Sequence, residues 1–169
     1  MSELFNIIGD YELFLEKLFR DLKASGIDLL RESSELDHLA YRVETVSRYE
    51  ELKSEFSKIG TSISENIING RPISIFVLHK PVDYEGWIIK YIELPSPKQG
   101  SPYLEGLEHA EFVLRSSFGD FMSQHQNLKF DTSNSGDVIN PDVKLSFDGY
   151  SVKFHLKPID EVVRLQDQS

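Results

Sequence analysis

Apolar positions in the first half of the chain follow two different periods. Tyr11, Leu15, Leu18, Phe19 and Leu22 recur at helical spacing while Glu12, Glu16, Lys17, Arg20, Asp21 and Lys23 lie mostly elsewhere, which predicts an amphipathic helix over residues 10–25. Ser25-Gly26 ends it. From Leu36 the spacing shortens to strand-like alternation over residues 36–43, and a helix follows from Ser47 to Ile59, with Ser47 as N-cap and Glu50 at the capping-box position. Gly60 breaks the helix. A short extended piece over 62–66, an Asn69-Gly70 turn, a β-rich run over 73–78, a connection over 79–86 and a strand over 87–94 stopped by Pro95 complete a β-α-β-β-β unit.

The second half repeats this order more loosely. Residues 107–114 read as a strand, 118–126 as a helix, and 129–132 as a weak second strand before a polar loop over 132–137. Residues 143–147, Asp148-Gly149 and 150–156 read as a hairpin, and Pro158 opens a last helix whose Ile159, Val162, Val163 and Leu165 cover apolar surface. The expected organisation is a single α+β domain over 1–169. It has a helical cap over 1–35, modules over 36–95 and 107–157, a linker over 96–106 and a C-terminal helix over 158–169. The two modules are expected to pair into a curved mixed sheet around a concave site.

The most telling repeat is local. Leu36-Asp37-His38-Leu39-Ala40-Tyr41-Arg42-Val43 and Leu107-Glu108-His109-Ala110-Glu111-Phe112-Val113-Leu114 each carry Leu, an acid and His ahead of an alternating run. Strand parity puts His38, Ala40 and Arg42 on one face and Leu39, Tyr41 and Val43 on the other. In the same way His109, Glu111 and Val113 share a face opposite Ala110, Phe112 and Leu114. In the closing strands Ile89, Tyr91 and Glu93 go together, as do Ser151, Lys153 and His155. Equating Glu93 with His155 rests on Glu93-Leu94-Pro95 against His155-Leu156-Lys157-Pro158 and takes a one-residue slip, chosen because it keeps polar residues on one face; an ungapped match pairs Ile92 with His155 instead. If the halves pair, His38 and His109 converge, and a metal site is the leading idea.

Composition narrows the chemistry. Among 169 residues, 40% are apolar and 11% aromatic, which favours a packed fold over disorder. A formal charge of −10 without a basic cluster argues against nucleic acid. The opening Met1-Ser2-Glu3-Leu4-Phe5 has no basic n-region and no apolar run is long enough for a bilayer, so the expectation is a cytoplasmic protein without membrane association. With no Cys, a bound metal must use imidazole, carboxylate, carbonyl or water. Of the remaining histidines, His79 begins a loop and suits a substrate pocket, and His125 ends a polar helix and reads as solvated.

Paired β-α-β-β-β modules with His on each first strand and a carboxylate at the end of the first module resemble the vicinal oxygen chelate superfamily, which includes glyoxalase I, extradiol dioxygenases and fosfomycin-resistance proteins. The stretches Ser64-Glu65-Asn66-Ile67-Ile68-Asn69-Gly70-Arg71-Pro72-Ile73, Phe76-Val77-Leu78-His79-Lys80-Pro81-Val82, Glu93-Leu94-Pro95-Ser96-Pro97 and Gly106-Leu107-Glu108-His109 resemble more closely its YecM-like bacterial family. The resemblance spans roughly Leu36 to Val163 and implies metal ligands His38, Glu93, His109 and His155. His155 departs from the pattern, since many metal-dependent relatives carry Glu there.

Three imidazoles and one carboxylate suit Zn²⁺, Ni²⁺, Co²⁺, Fe²⁺ or Mn²⁺, and the sequence does not choose among them. Glu111 and His155 are the candidate proton-transfer residues, while Arg42, Tyr91, Lys153 and His79 are candidates for a small, anionic substrate. The function expected is a divalent-metal-binding protein, as an isomerase, lyase or oxidoreductase acting on a small oxygen-rich molecule. The alternative is a non-catalytic small-ligand-binding module. Whether the chain is an enzyme, and its oligomeric state, stay open at this stage.

Overall fold

The structure is a computed structural model that describes residues 2–100 and 103–168. Ser101 and Pro102 of the expected linker lie outside the described residues. The chain is a mixed α+β fold with the order α1 (Glu3–Ile8), α2 (Tyr11–Ala24), α3 (Leu29–Glu32), β1 (Ser33–Arg42), α4 (Val46–Ile59), β2 (Gly60–Ile68), β3 (Arg71–Tyr84), β4 (Trp87–Pro95), β5 (Gly106–Leu114), α5 (Phe118–Gln124), β6 (Asp142–Ser146), β7 (Ser151–His155) and α6 (Ile159–Asp167). No helix among the described residues is long and apolar enough to cross a membrane. It divides into two compact units, Met1–Tyr11 with His38–Glu108, and Glu12–Asp37 with His109–Ser169.

In the first unit the strand order is β2-β3-β4-β1. β2, β3 and β4 are antiparallel neighbours, and β1 joins β4 in parallel. One face of this sheet packs on α4, where Phe56 stacks on Phe76 at 5.3 Å and the Tyr49 hydroxyl meets Ser74 Oγ at 2.7 Å. Ser74 in turn donates to Glu65 on β2, whose carboxylate also pairs with Lys53 of α4. A polar chain thus crosses an otherwise apolar contact. α4 starts earlier than the sequence suggests, because Thr45 and not Ser47 is the N-cap and accepts the Arg48 N–H at 3.1 Å. Both residue types cap well, and Thr45 already supplies the carbonyl for the Tyr49 N–H at 3.0 Å.

β3 runs on to Tyr84 where the sequence suggests a loop from His79, but its ladder with β4 shifts register between Val77 and Val82. That irregularity carries Leu78-His79-Lys80-Pro81, and Pro81 lacks the N–H a regular ladder would use.

The second unit orders its strands β5-β7-β6, with β5 and β7 parallel and β6 and β7 antiparallel. Its core is aromatic: Phe112 meets Phe19 of α2 at 6.0 Å and Phe154 at 6.2 Å, and Phe121 of α5 lies 4.7 Å from Phe154. The expected weak strand over 129–132 is reduced to one bridge, Asp131 with Lys144. In the polar run that follows, the Ser133 N–H turns back to Asp131 Oδ1 and the Asn134 side chain donates to the Asn140 carbonyl, so local turn bonds take the place of a ladder.

Candidate functional site

Register fixes which side chains share a face. In the first unit His38 pairs with Tyr91 and Ala40 with Glu93 across a parallel ladder, so His38, Ala40 and Arg42 lie beside Tyr91 and Glu93 on one face. The opposite face, with Leu39, Ile92 and Phe76, is the one that packs on α4. This is the division that strand parity predicts. His38 is 1% exposed and Glu93 16%, and His38 Nε2 lies 3.7 Å from Glu93 Oε2. Two donors at that separation fit one divalent ion, since metal–ligand bonds of about 2.0–2.2 Å on each side span it comfortably.

The second unit repeats the arrangement with different side chains. His109 pairs with Ser151, Glu111 with Lys153 and Val113 with His155, all on the face opposite Phe112 and Phe154. Glu111 is the centre of this cluster at 2% exposure, with His109 Nε2 at 2.8 Å, Lys153 Nζ at 3.1 Å and the His155 imidazole in direct contact. A buried carboxylate with a cation beside it keeps its charge at far lower cost than an isolated one.

The ladders correct one sequence equation. Glu93 stands opposite the second residue after His38, and the residue in that place after His109 is Lys153, not His155. The equation rested on the prolines that follow, but Pro95 is still part of β4 whereas β7 stops at His155, well before Pro158. The prolines therefore mark different points on the two strands.

Of the other candidates, Arg42 is tied to Glu108, and its Cζ stacks 4.4 Å above the Tyr103 ring. His79 is exposed with Nε2 3.0 Å from Thr61 Oγ1. His125 is buried instead of solvated, because its Nε2 meets Glu32 Oε1 at 2.7 Å and fastens the end of α5 to α3. Asp37 was not singled out from the sequence, yet its Oδ1 accepts the Ile159 N–H at 2.8 Å and holds the first turn of α6. The acid that precedes His in both copies of the repeat was the available signal. Glu108, its counterpart, makes the Arg42 pair.

The profile of the YecM protein family matches residues 3–166. The chain belongs to the YecM family. Protein YecM of Escherichia coli strain K12 is 29% identical to it, covering 96% of this chain and 94% of that protein. The solved structure of protein EC4020, from structural genomics, is 28% identical with a TM-score of 0.80, covering 98% of this chain and 94% of that one. A hypothetical protein from Bacillus halodurans C-125 shares the fold at 16% identity and a TM-score of 0.50, over 72% of this chain and 92% of its own. Membership extends the similarity to α1, α2 and α3, which precede the repeat.

Proposed function

We propose that this YecM-family chain binds one divalent transition metal through His38, Glu93 and His109, and that it uses the ion to act on a small oxygen-rich molecule as an isomerase, lyase or oxidoreductase. The observation that carries this reading is the His38–Glu93 pair, an imidazole and a carboxylate 3.7 Å apart on the face of the first unit's sheet opposite α4. His109 is the residue at the same ladder position in the second unit. The donor set is nitrogen and oxygen only, in a chain without thiols, which suits Zn²⁺, Ni²⁺, Co²⁺, Fe²⁺ or Mn²⁺. When bound, such an ion supplies Lewis acidity toward vicinal substrate oxygens.

His155 has a different task in this reading. Its imidazole lies against Glu111 and Glu111 lies against His109, so His155 and Glu111 hold the ligand His109 in place and stand ready to carry a proton.

Elemental analysis of the purified protein tests the proposal. Wild type is expected to hold near one equivalent of a divalent transition metal. The His38→Ala plus His109→Ala double variant is expected to hold almost none, and His155→Ala to keep most of it. Metal-free wild type that gains no thermal stability in excess Zn²⁺, Ni²⁺ or Mn²⁺ would sink the reading. A small-molecule ligand bound equally well after chelation would favour the non-catalytic alternative.

A further inference from the structure

The break in the β3–β4 ladder between Val77 and Val82 leaves a space on the α4 side of the first unit's sheet. β3 gains more residues across the break than β4, which moves only from Tyr91 to Ile89, so the segment after Val77 bows out of the sheet. Leu78 faces the same way as Phe76, because β2 pairs the two with Gly60 and Ser62 in turn, and that is the face packed on α4. Between the bowed segment, the last residue of α4 and the start of α1 lies a cavity of about 410 Å³. Enclosures of about 300–1,000 Å³ are the ones that hold small molecules.

The lining is mostly apolar. Leu4 of α1 and Leu78 of β3 are buried there, with half-buried Ile59 of α4 and Val82 of β3 beside them. Two opposite charges border the same space. Lys80 Nζ stands 3.6 Å from Glu3 Oε2, with 85% and 63% of the two side chains exposed. At that length the pair is not hydrogen-bonded, and an exposed pair adds little stability, so a ligand that separates the charges gives up little. His79 turns to Thr61 instead, and its neighbours Leu78 and Lys80 face the cavity.

A ligand with a single charge suits this rim poorly. A simple carboxylate on Lys80 meets Glu3 as a like charge, and a simple amine on Glu3 meets Lys80 in the same way. A head that carries both signs satisfies both residues. In an α-amino acid the ammonium nitrogen and a carboxylate oxygen are joined through two carbons, which holds them about 3 Å apart, close to the spacing of the two rim charges.

We infer that this cavity binds a free α-amino acid with a large apolar side chain. Its carboxylate meets Lys80, its ammonium meets Glu3, and its side chain lies against Leu4, Ile59, Leu78 and Val82. The site is independent of the metal reading, because Glu93 pairs with Ile75 and so faces away from Phe76 and Leu78.

Calorimetric titration of the full chain with three probes that share an indole body tests the assignment: L-tryptophan, indolepropionate without the ammonium, and tryptamine without the carboxylate. Tryptophan is expected to bind with a Kd of about a millimolar or lower, and each of the others about three- to fivefold more weakly, as loss of one exposed ion contact requires. Lys80→Met should weaken tryptophan and indolepropionate by that factor and leave tryptamine unchanged or tighter. Glu3→Gln should weaken tryptophan and tryptamine and leave indolepropionate unchanged or tighter. Both substitutions fall on exposed side chains, so unchanged thermal unfolding is expected for each. Val82→Gln, on the wall, should weaken all three probes.

Equal affinity for the three probes, or losses in Lys80→Met and Glu3→Gln that ignore the head group, would reduce the cavity to an apolar crevice and overturn the inference. Tighter binding of tryptamine or indolepropionate than of tryptophan would overturn it in favour of a singly charged ligand. Absence of any binding of tryptophan at about ten times a millimolar would overturn it outright.

Discussion

Single side chains decide several features of this protein by contact and not by propensity. Gly60 ends α4 and begins β2 with extended backbone, so its need for glycine is steric: a Cβ there would sit 2.6 Å from the Val77 carbonyl oxygen. That oxygen belongs to the backbone and cannot swing away. Gly60→Ala is therefore expected to lower stability by about 1–3 kcal/mol, the usual range for forced overpacking, as read by urea unfolding. An unchanged midpoint would show that β2 shifts freely. Asp37 is a second case, since removing its carboxylate leaves the Ile159 N–H at the start of α6 without that acceptor. Asp37→Ala should cost roughly 1 kcal/mol, as loss of a helix cap does, and raise amide exchange first in α6. Exchange that rises uniformly would place its role elsewhere.

Elements are joined by polar links that pH can reach. β2 is an edge strand, and Glu65 ties it to α4 through Lys53, chiefly by the hydrogen bond that holds this carboxyl below its ordinary value of 4.5. A carboxylate with a depressed folded-state pKa stabilises fully above its unfolded pKa, and that contribution is lost as pH falls through the folded one. Acid unfolding of the wild type should therefore steepen below pH 4.5, and Glu65→Gln should flatten that part of the profile while lowering stability near neutrality, where the ionised carboxylate contributes in full. The same slope in both proteins would assign acid sensitivity to other carboxylates, Asp131 first, whose pKa the Ser133 backbone N–H holds well below the usual range. Tyr41 shows the opposite sense: burial and then Glu105 push it up to about 12, so it stays neutral through the accessible range.

At the scale of the whole molecule, duplication is the organising fact, and it was legible because period-two alternation survives sequence drift. The β-α-β-β-β order of β1, α4, β2, β3 and β4, the split of each first strand into an apolar and a polar face, and both hairpin regions follow from spacing, whereas the second unit has β-α-β-β with one bridge where a further strand is expected. Less legible were features set by contacts distant in sequence. His125 looks like a solvated helix end until Glu32 is found against it, and β3 looks like a loop past Leu78 because Pro81 sits within a bulged ladder. The Glu93 counterpart was misjudged for a related reason, since register is fixed by the neighbouring strand and not by the nearest proline. Of the candidate site, the face that His38 shares with Ala40 and Arg42, and that Glu93 shares with Tyr91, was readable from strand parity, whereas Arg42's contact with Tyr103 and the Asp37 bond to the start of α6 were not.

The central claim is that one imidazole from each copy of the repeat binds the same ion. X-ray absorption at the zinc edge of Zn²⁺-loaded protein measures this most directly, by counting imidazole scatterers around the metal. Two are expected in wild type and one in either His38→Ala or His109→Ala. Zinc surrounded by oxygen alone, or a spectrum that neither substitution changes, would contradict the account.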